Sequence, residues 1–195
     1  AFSWIMYEIT GSASLIALIL ALNYLPSILF QPFAGVWVER LSKKKVMVFC
    51  DWGRAILVCL TALLMLTNSL NALLLIVITM SNSTLEAFRM PAGSAVVPKI
   101  LDREKYTVGT ALNQTLSRIF ELVGMGAAGG IIALFGAHTA LFIDAATFLF
   151  SAVVIGFIRY TEKLSIDKDG VKEYFRKLRD GFSYLKKNRV LFFLT

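Results

Sequence analysis

Two long stretches without a charged residue constrain the fold of this chain more than any other feature of its sequence. No residue from position 9 to 38 is charged, and none from position 55 to 85. A helix crosses the hydrocarbon core of a bilayer with about 20 apolar residues. Lipid cannot satisfy an open backbone edge, and no alternation of apolar and polar residues indicates a barrel, so these stretches are predicted to be helices.

Composition supports placement in a membrane. Apolar residues make up 57% of the chain, charged residues 17%, and the mean hydropathy is +0.69. This leaves too little polar surface to cover a soluble domain of 195 residues. The sequence therefore predicts an all-α, polytopic membrane bundle. Its five complete crossings are predicted at residues 15–38, 46–66, 72–97, 107–135 and 139–158.

Three consecutive regions are predicted along the chain. Residues 1–158 are expected to be a transmembrane unit with a truncated first helix followed by helices 2–6. Residues 159–189 are expected to be a cytoplasmic linker, because apolar residues recur there at helical spacing among lysines and arginines, as in an interfacial helix. Residues 190–195 are expected to begin helix 7. The chain is thus interpreted as a fragment of a longer protein.

The basic residues predict an orientation. Of twenty Lys and Arg residues, four lie at 40–45, three at 99–105 and ten at 159–189, whereas the alternate connections have none. The positive-inside rule places the basic connections in the cytoplasm. The net charge of +7 is therefore explained by the orientation of the helices in the membrane. No nucleic-acid partner is expected, since no recognition fold surrounds these residues.

Few residues in the sequence are candidates for a disulfide, a metal site or catalysis. Cys50 and Cys59 are nine residues apart on one predicted helix, about 13.5 Å along its axis and too far for a disulfide. His138 has no second His or Cys near it. No nucleophile motif, Walker loop or dinucleotide fingerprint is found. The sequence predicts no metal, no cofactor and no catalytic site.

Three arginines lie within the apolar segments, and each has a carboxylate three residues away on the same helix face. The pairs are Asp51–Arg54, Glu86–Arg89 and Arg118–Glu121. A charge at the bilayer centre costs roughly 2.5 to 3.5 kcal/mol on insertion scales, so it persists where it is paired or lines a water-filled path. The first pair, near the cytoplasmic end, is predicted to tie helices together. The other two pairs are candidates for proton coupling or substrate binding, with helix tying as the alternative.

Asp144 has no basic residue within a turn of its predicted helix. Burial disfavours the charged form of a carboxylate, so Asp144 is a candidate proton carrier. Its position near the outer end of the helix leaves a second interpretation open, in which it is a hydrated acid close to the helix start.

The connection between the second and third helices resembles a family signature. Residues 35–45 read GVWVERLSKKK, which is similar to the G-x-L-A-D-R-x-G-R-K motif of major facilitator superfamily transporters. The resemblance implies a loop that controls a conformational equilibrium. The residues carried over to this loop are Gly35, Glu39, Arg40, Lys43, Lys44 and Lys45.

Further motifs resemble the macrolide- and siderophore-efflux branch, whose members are drug:proton antiporters. They are FRMPA at 88–92, VPK at 97–99, ALNQ at 111–114 and FIDAATF at 142–148. A glycine-rich run is similar to the G-P-x-x-G-G antiporter motif but lacks its proline, and helix packing is the favoured explanation of it. Its glycines are Gly124, Gly126, Gly129 and Gly130.

The resemblance implies the N-terminal six-helix half of a twelve-helix transporter in a bacterial plasma membrane. The expected activity is proton-coupled efflux of amphipathic small molecules by alternating access. Its expected partners are the substrate, the proton, the lipid bilayer and the C-terminal half of the same protein. Two alternatives stay open: an importer of a nutrient or lipid, and a non-transporting membrane protein or enzyme.

Overall fold

A computed structural model describes residues 2–100 and 103–158 of the chain. This part of the chain forms six helices and contains no strand, which confirms the predicted all-α class. The helices are α1 (Phe2–Thr10), α2 (Ala13–Arg40), α3 (Lys43–Leu66), α4 (Ala72–Ile100), α5 (Arg103–Phe135) and α6 (Ala137–Phe157). The predicted linker at 159–189 and the predicted start of helix 7 at 190–195 lie outside the described residues.

Five of these helices are long and apolar enough to cross a membrane. The apolar spans are Ala13–Gln31, Lys43–Leu66, Ala72–Val96, Tyr106–Phe135 and Ala137–Phe157. They overlap the five crossings predicted from the sequence. The chain is therefore a multi-pass membrane protein, whose backbone groups are satisfied within each helix.

Short turns join the helices alternately at two ends of the bundle. We call the end with the α2–α3 and α4–α5 connections the basic end, and the opposite one the bare end. Each turn at the bare end contains one residue with positive φ: Gly11 at 61°, Asn68 at 51° and Gly136 at 83°. Glycine and asparagine adopt this left-handed backbone at the lowest steric cost, so residue type and turn position agree.

Helix α3 is central to the packing. It lies against α6 on one side and α4 on the other, and α4 also packs on α2. A cluster of buried apolar residues fills the half of the bundle nearest the bare end. Its members are Ile5, Met6, Ile19, Val58, Ala62, Leu75, Ala137, Leu141 and Ala145. The buried charged side chains of the described residues, Lys43 and Asp51, lie in the half of α3 nearest the basic end.

Small residues form much of the interior, and large apolar ones face outward. Eight of the buried apolar residues are alanines, which let membrane helices approach closely where apolar burial alone gives no driving force. The outward side chains include Phe49, Phe150 and Phe157, which are 71, 71 and 81% exposed. This distribution is the one expected of helices that are surrounded by lipid.

Candidate functional site

Asp51 is the most deeply buried charge in the described part of the chain. Its side chain is 0% exposed and accepts a hydrogen bond from Arg89 Nε on α4, with a distance of 2.5 Å to Oδ1. The second carboxylate oxygen, Oδ2, accepts a hydrogen bond of 2.7 Å from the Ser151 hydroxyl on α6. One carboxylate on α3 thus joins three helices.

Arg54 lies one turn further along α3 and also bonds across the interface. Its Nη2 is 3.6 Å from Glu86 Oε2 on α4, and its Nε donates to Asn82 Oδ1 at 3.2 Å. The guanidinium carbon is 4.3 Å from the centre of the Phe148 ring on α6. A cation over an aromatic ring contributes about 0.5 to 2 kcal/mol, depending on desolvation. Arg54 is therefore held by both α4 and α6.

These contacts correct the pairing expected from sequence spacing. The two predicted pairs on α3 and α4 exchange partners, so that Asp51 bonds Arg89 and Arg54 faces Glu86. The spacing correctly placed both members of each pair on one helix face, but two such faces meet in the bundle. Close approach at Gly53 permits this, since a Cβ there would be 2.8 Å from Leu85 Cδ1.

Asp144 lies on the face of α6 that packs against α3. Phe148 and Ser151 follow Asp144 by one and two turns on α6, and both contact residues of the α3–α4 interface. Within the described residues no hydrogen bond or ion pair holds the Asp144 carboxylate, and Asp144 is only partly buried. The absence of a basic residue within a turn of Asp144 on α6 stands, and its role as a proton carrier stays a prediction.

We call Asp51, Arg54, Glu86, Arg89 and Asp144 the charge cluster. It contains three carboxylates and two guanidiniums, so its formal charge is −1 when every group is ionised. One acid is thus left without a base of its own. An excess of negative charge at a partly buried site is stabilised by a proton or by a cation.

The charge cluster lies at mid-depth. Asp51 is eight residues from the start of α3 at Lys43, or about 12 Å at the rise of an α-helix. Glu86 lies 14 residues from either end of α4. These depths place the cluster near the centre of a hydrocarbon core about 30 Å thick. Asp51 and Arg54 are thus further from the basic end than the sequence interpretation assumed.

Arg118 and Glu121 form the third predicted pair, and the structure places them together. Arg118 Nη1 donates to Glu121 Oε2 at 2.8 Å, within α5, but the side chains are 80% and 55% exposed. They line an open cleft of about 650 Å³ between α4 and α5. Met90 from α4 and a row of amide and hydroxyl side chains complete the lining: Asn113, Gln114, Thr115 and Ser117.

Helix α5 lies at the edge of the described bundle, where it contacts α6 and, less extensively, α4. None of its span Tyr106–Phe135 is buried there. No atom lies within 4 Å of a Cβ built at any glycine of the predicted packing motif, namely Gly124, Gly126, Gly129 and Gly130. Contacts among the described helices therefore do not account for this glycine run, and its packing or antiporter role stays a prediction.

The predicted switch loop lies at the basic end. Lys44 Nζ donates to the carbonyl oxygen of Ile158, at 2.8 Å, and so connects α3 to the end of α6. Lys43 is 4% exposed and Lys45 is exposed. Gly35 lies within α2, with no atom near its Cβ position. The side chains of Glu39 and Arg40 lie outside what the structure describes, so their switch role stays a prediction.

Sequence reasoning missed the contributions of Asn82, Phe148 and Ser151. Each lies where α3 packs against a neighbouring helix. Asn82 and Phe148 contact Arg54, and Ser151 donates a hydrogen bond to Asp51. A periodic signal was available on α6, where Asp144, Phe148 and Ser151 recur at helical spacing. Neither asparagine nor serine is distinctive by itself, and the partner across the interface gives each its role.

The bundle, its intramembrane charges and its polar cleft define a polytopic membrane protein of the kind that forms solute paths. The chain belongs to the Major Facilitator Superfamily, whose family model matches residues 1–195. This confirms the resemblance found in the sequence. No solved structure matches the chain.

Several curated bacterial proteins are similar to the chain. It is 30% identical over 174 residues to "Uncharacterized MFS-type transporter YkuC" of Bacillus subtilis, with 86% of the chain and 40% of that protein covered. Identity to "Macrolide efflux protein A" of Streptococcus pyogenes is 24%, covering 96% and 46%. Identity to "Putative bacilysin exporter BacE" of Bacillus subtilis is 32%, covering 82% and 39%. The chain thus spans less than half the length of these relatives, which are named as transporters and exporters rather than enzymes.

Proposed function

We propose that the protein is a secondary active transporter that exports amphipathic small molecules by alternating access, driven by protons. The observation that carries this proposal is the polar cleft of about 650 Å³ between α4 and α5, at the mid-depth of a membrane bundle. Polar side chains at that depth are stable where they face water or protein rather than lipid. A cleft of this volume falls within the range of small-molecule sites.

The chemistry of the cleft favours an amphipathic substrate. Met90 supplies a flexible apolar surface, while Asn113, Gln114 and Ser117 supply donors and acceptors. Arg118 and Glu121 add both signs of charge at one side of the cleft. The names of two relatives point the same way, because they denote efflux of a macrolide and export of bacilysin.

The charge cluster is the proposed coupling site. Its three carboxylates and two guanidiniums leave one acid that can hold a proton in one state and release it in another. Asp144 suits this role, because no hydrogen bond or ion pair holds its carboxylate within the described residues, and because it lies one turn from Phe148, whose ring contacts Arg54 of α3. A movement of α6 against α3 would change the distance between Asp144 and Arg54, and so the stability of the ionised Asp144 carboxylate. Glu121, paired with Arg118 in the cleft, is the second candidate.

In this proposal the rest of the cavity comes from a C-terminal half of the same protein. The chain covers less than half of the three relatives named above, and the polar face of α5 is exposed in the described part of the chain. The complete protein would lie in a bacterial cytoplasmic membrane. The basic loop with Glu39, Arg40 and Lys43 to Lys45 would latch one of its states at the cytoplasmic face.

Transport in vesicles of opposite orientation tests the direction and the cleft together. The full-length protein is assayed with a radiolabelled macrolide and a fluorescent amphipathic cation under an imposed proton gradient. An exporter accumulates the probes in inverted vesicles, and Glu121→Gln lowers that accumulation. Glu8→Gln is the matched control, because Glu8 is an exposed acid near the bare end. Accumulation in right-side-out vesicles alone would indicate an importer, and absence from both would refute the proposed substrate class.

A further inference from the structure

A second cavity lies at the basic end, away from the polar cleft. It is a groove of about 440 Å³ between α3 and α4, and we call it the lysine groove. Its walls are largely apolar, with Val46, Phe49 and Phe88 among them, and Ser42 and Lys45 lie at its mouth. An occupant of matching chemistry has an apolar body and a polar, negatively charged head.

Lys45 is the lysine of this loop that is available to a ligand. Lys43 is buried, and Lys44 already donates to the Ile158 carbonyl oxygen. Lys45 is exposed, and no hydrogen bond or ion pair engages its ammonium group within the described residues. The charge at the mouth of the groove is therefore positive and uncompensated in that part of the chain.

The direction of the groove matches the gradient of polarity in a lipid leaflet. Lys45 lies at the second residue after the start of α3, and Phe49 lies one turn deeper, about 6 Å further along the axis. The ammonium group thus sits at the level of lipid headgroups, while the aromatic wall lies at the level of acyl chains. Phe49 is 71% exposed, so this wall is open to the surrounding lipid.

We propose that the lysine groove binds one anionic phospholipid, with its phosphate at Lys45 and Ser42 and an acyl chain along Val46, Phe49 and Phe88. Charge complementarity separates this occupant from the other candidate within the chain. Residues 159–189 carry ten basic and five acidic residues, so the linker has the same sign of charge as the mouth. A lipid phosphate has the opposite sign.

The bundle supplies an internal control for the location. Another groove, of about 470 Å³ between α3 and α6, is lined within the described part by apolar residues only. It includes Ile56, which is 60% exposed and comparable to Phe49 in accessibility. Acyl chains can cover both grooves, but only the lysine groove has a cation at its mouth. Headgroup selectivity is therefore expected at Phe49 and not at Ile56.

Brominated lipids locate the occupant. A bimane fluorophore is attached at Phe49→Cys or at Ile56→Cys in the full-length protein, with Cys50 and Cys59 replaced by serine. The protein is reconstituted with brominated phosphatidylglycerol or brominated phosphatidylethanolamine. At Phe49 we expect stronger quenching by phosphatidylglycerol, and at Ile56 equal quenching by both lipids. No quenching at Phe49 would mean that protein covers the groove, and equal quenching there would mean ordinary bilayer contact. Either result overturns the proposal.

Substitution of the lysines tests the headgroup contact. Lys45→Gln should lower the preference for phosphatidylglycerol about fivefold, the factor that corresponds to about 1 kcal/mol per basic residue near an anionic surface. Lys44→Gln is the matched control, since Lys44 already has a backbone partner. Equal losses in both variants would indicate a diffuse basic surface and overturn the site. This site is independent of proton-driven export, so either can fail without the other.

Discussion

Removal of Arg89 should destabilise the bundle far more than removal of Arg118, although both arginines have a carboxylate partner. Arg89 is the ion-pair partner of Asp51, whose side chain is 0% exposed, and the N–O distance is 2.5 Å. Breaking a buried pair leaves an uncompensated charge and costs about 3 to 5 kcal/mol. Arg89 itself is 31% exposed and Ser151 still donates to Asp51. We therefore expect Arg89→Ala to lie near the lower end of that range, at about 3 kcal/mol.

Arg118→Ala is the matched control. The Arg118 side chain is 80% exposed in the described part of the chain, and its partner lies on the same helix. An exposed pair of this kind contributes about 0.2 to 0.5 kcal/mol. The cost of about 3 to 5 kcal/mol for breaking a buried pair therefore does not apply to Arg118–Glu121 within this part of the chain.

The assay follows unfolding of the full-length protein in detergent with a thiol-reactive dye. Cys50 is 2% exposed and adjacent to Asp51, so its reaction reports the opening of this interface. Asp51→Asn combined with Arg89→Ala should recover part of the loss, because no buried charge is then left unpaired. If Arg89→Ala and Arg118→Ala differ by less than about 0.5 kcal/mol, the central role of the Asp51–Arg89 pair is refuted.

Three further predictions concern the turns and the loop. Gly136→Ala should destabilise the protein by about 1 kcal/mol in thermal unfolding, because φ at Gly136 is 83° and an added Cβ would lie 2.9 Å from the His138 ring. Gly156→Ala is the control and should have little effect, since no atom lies near the position of its Cβ. A cysteine placed at Asn68 should react with an impermeant maleimide in intact cells, and one at Lys44 should not; the reverse pattern would invert the topology. Glu39→Gln should slow transport while substrate affinity stays nearly constant, since a latch shifts populations only by its energy difference between states; equal loss of both would contradict a latch.

The fold class could be predicted from the sequence because the bilayer restricts the choice so strongly. Uncharged stretches of about thirty residues can only be helices in lipid, and the basic residues at alternate connections predict the orientation of these helices. The positive-φ residues also fall in the predicted bare turns, at Gly11, Asn68 and Gly136. Local chemistry and membrane topology therefore gave consistent expectations.

The partners within the site could not be predicted, because pairing is decided between helices. Spacing along α3 and α4 favoured pairs within each helix, yet the geometry of their contact joins Asp51 to Arg89 and Arg54 to Glu86. The same limit applies to Phe148 and Ser151 on α6, whose partners Arg54 and Asp51 lie on α3. Only Arg118–Glu121 keeps its local pairing, on a helix that has few neighbours in the described part.

Proton movement on substrate addition tests proton-coupled export most directly. Proteoliposomes containing the full-length protein and an internal pH indicator are mixed with substrate, without an imposed gradient. The wild type should move protons against the direction of substrate. Asp144→Asn or Glu121→Gln should abolish that movement, while Glu8→Gln should preserve it. Unchanged substrate-driven proton movement in both Asp144→Asn and Glu121→Gln would contradict a coupling site in this half of the protein.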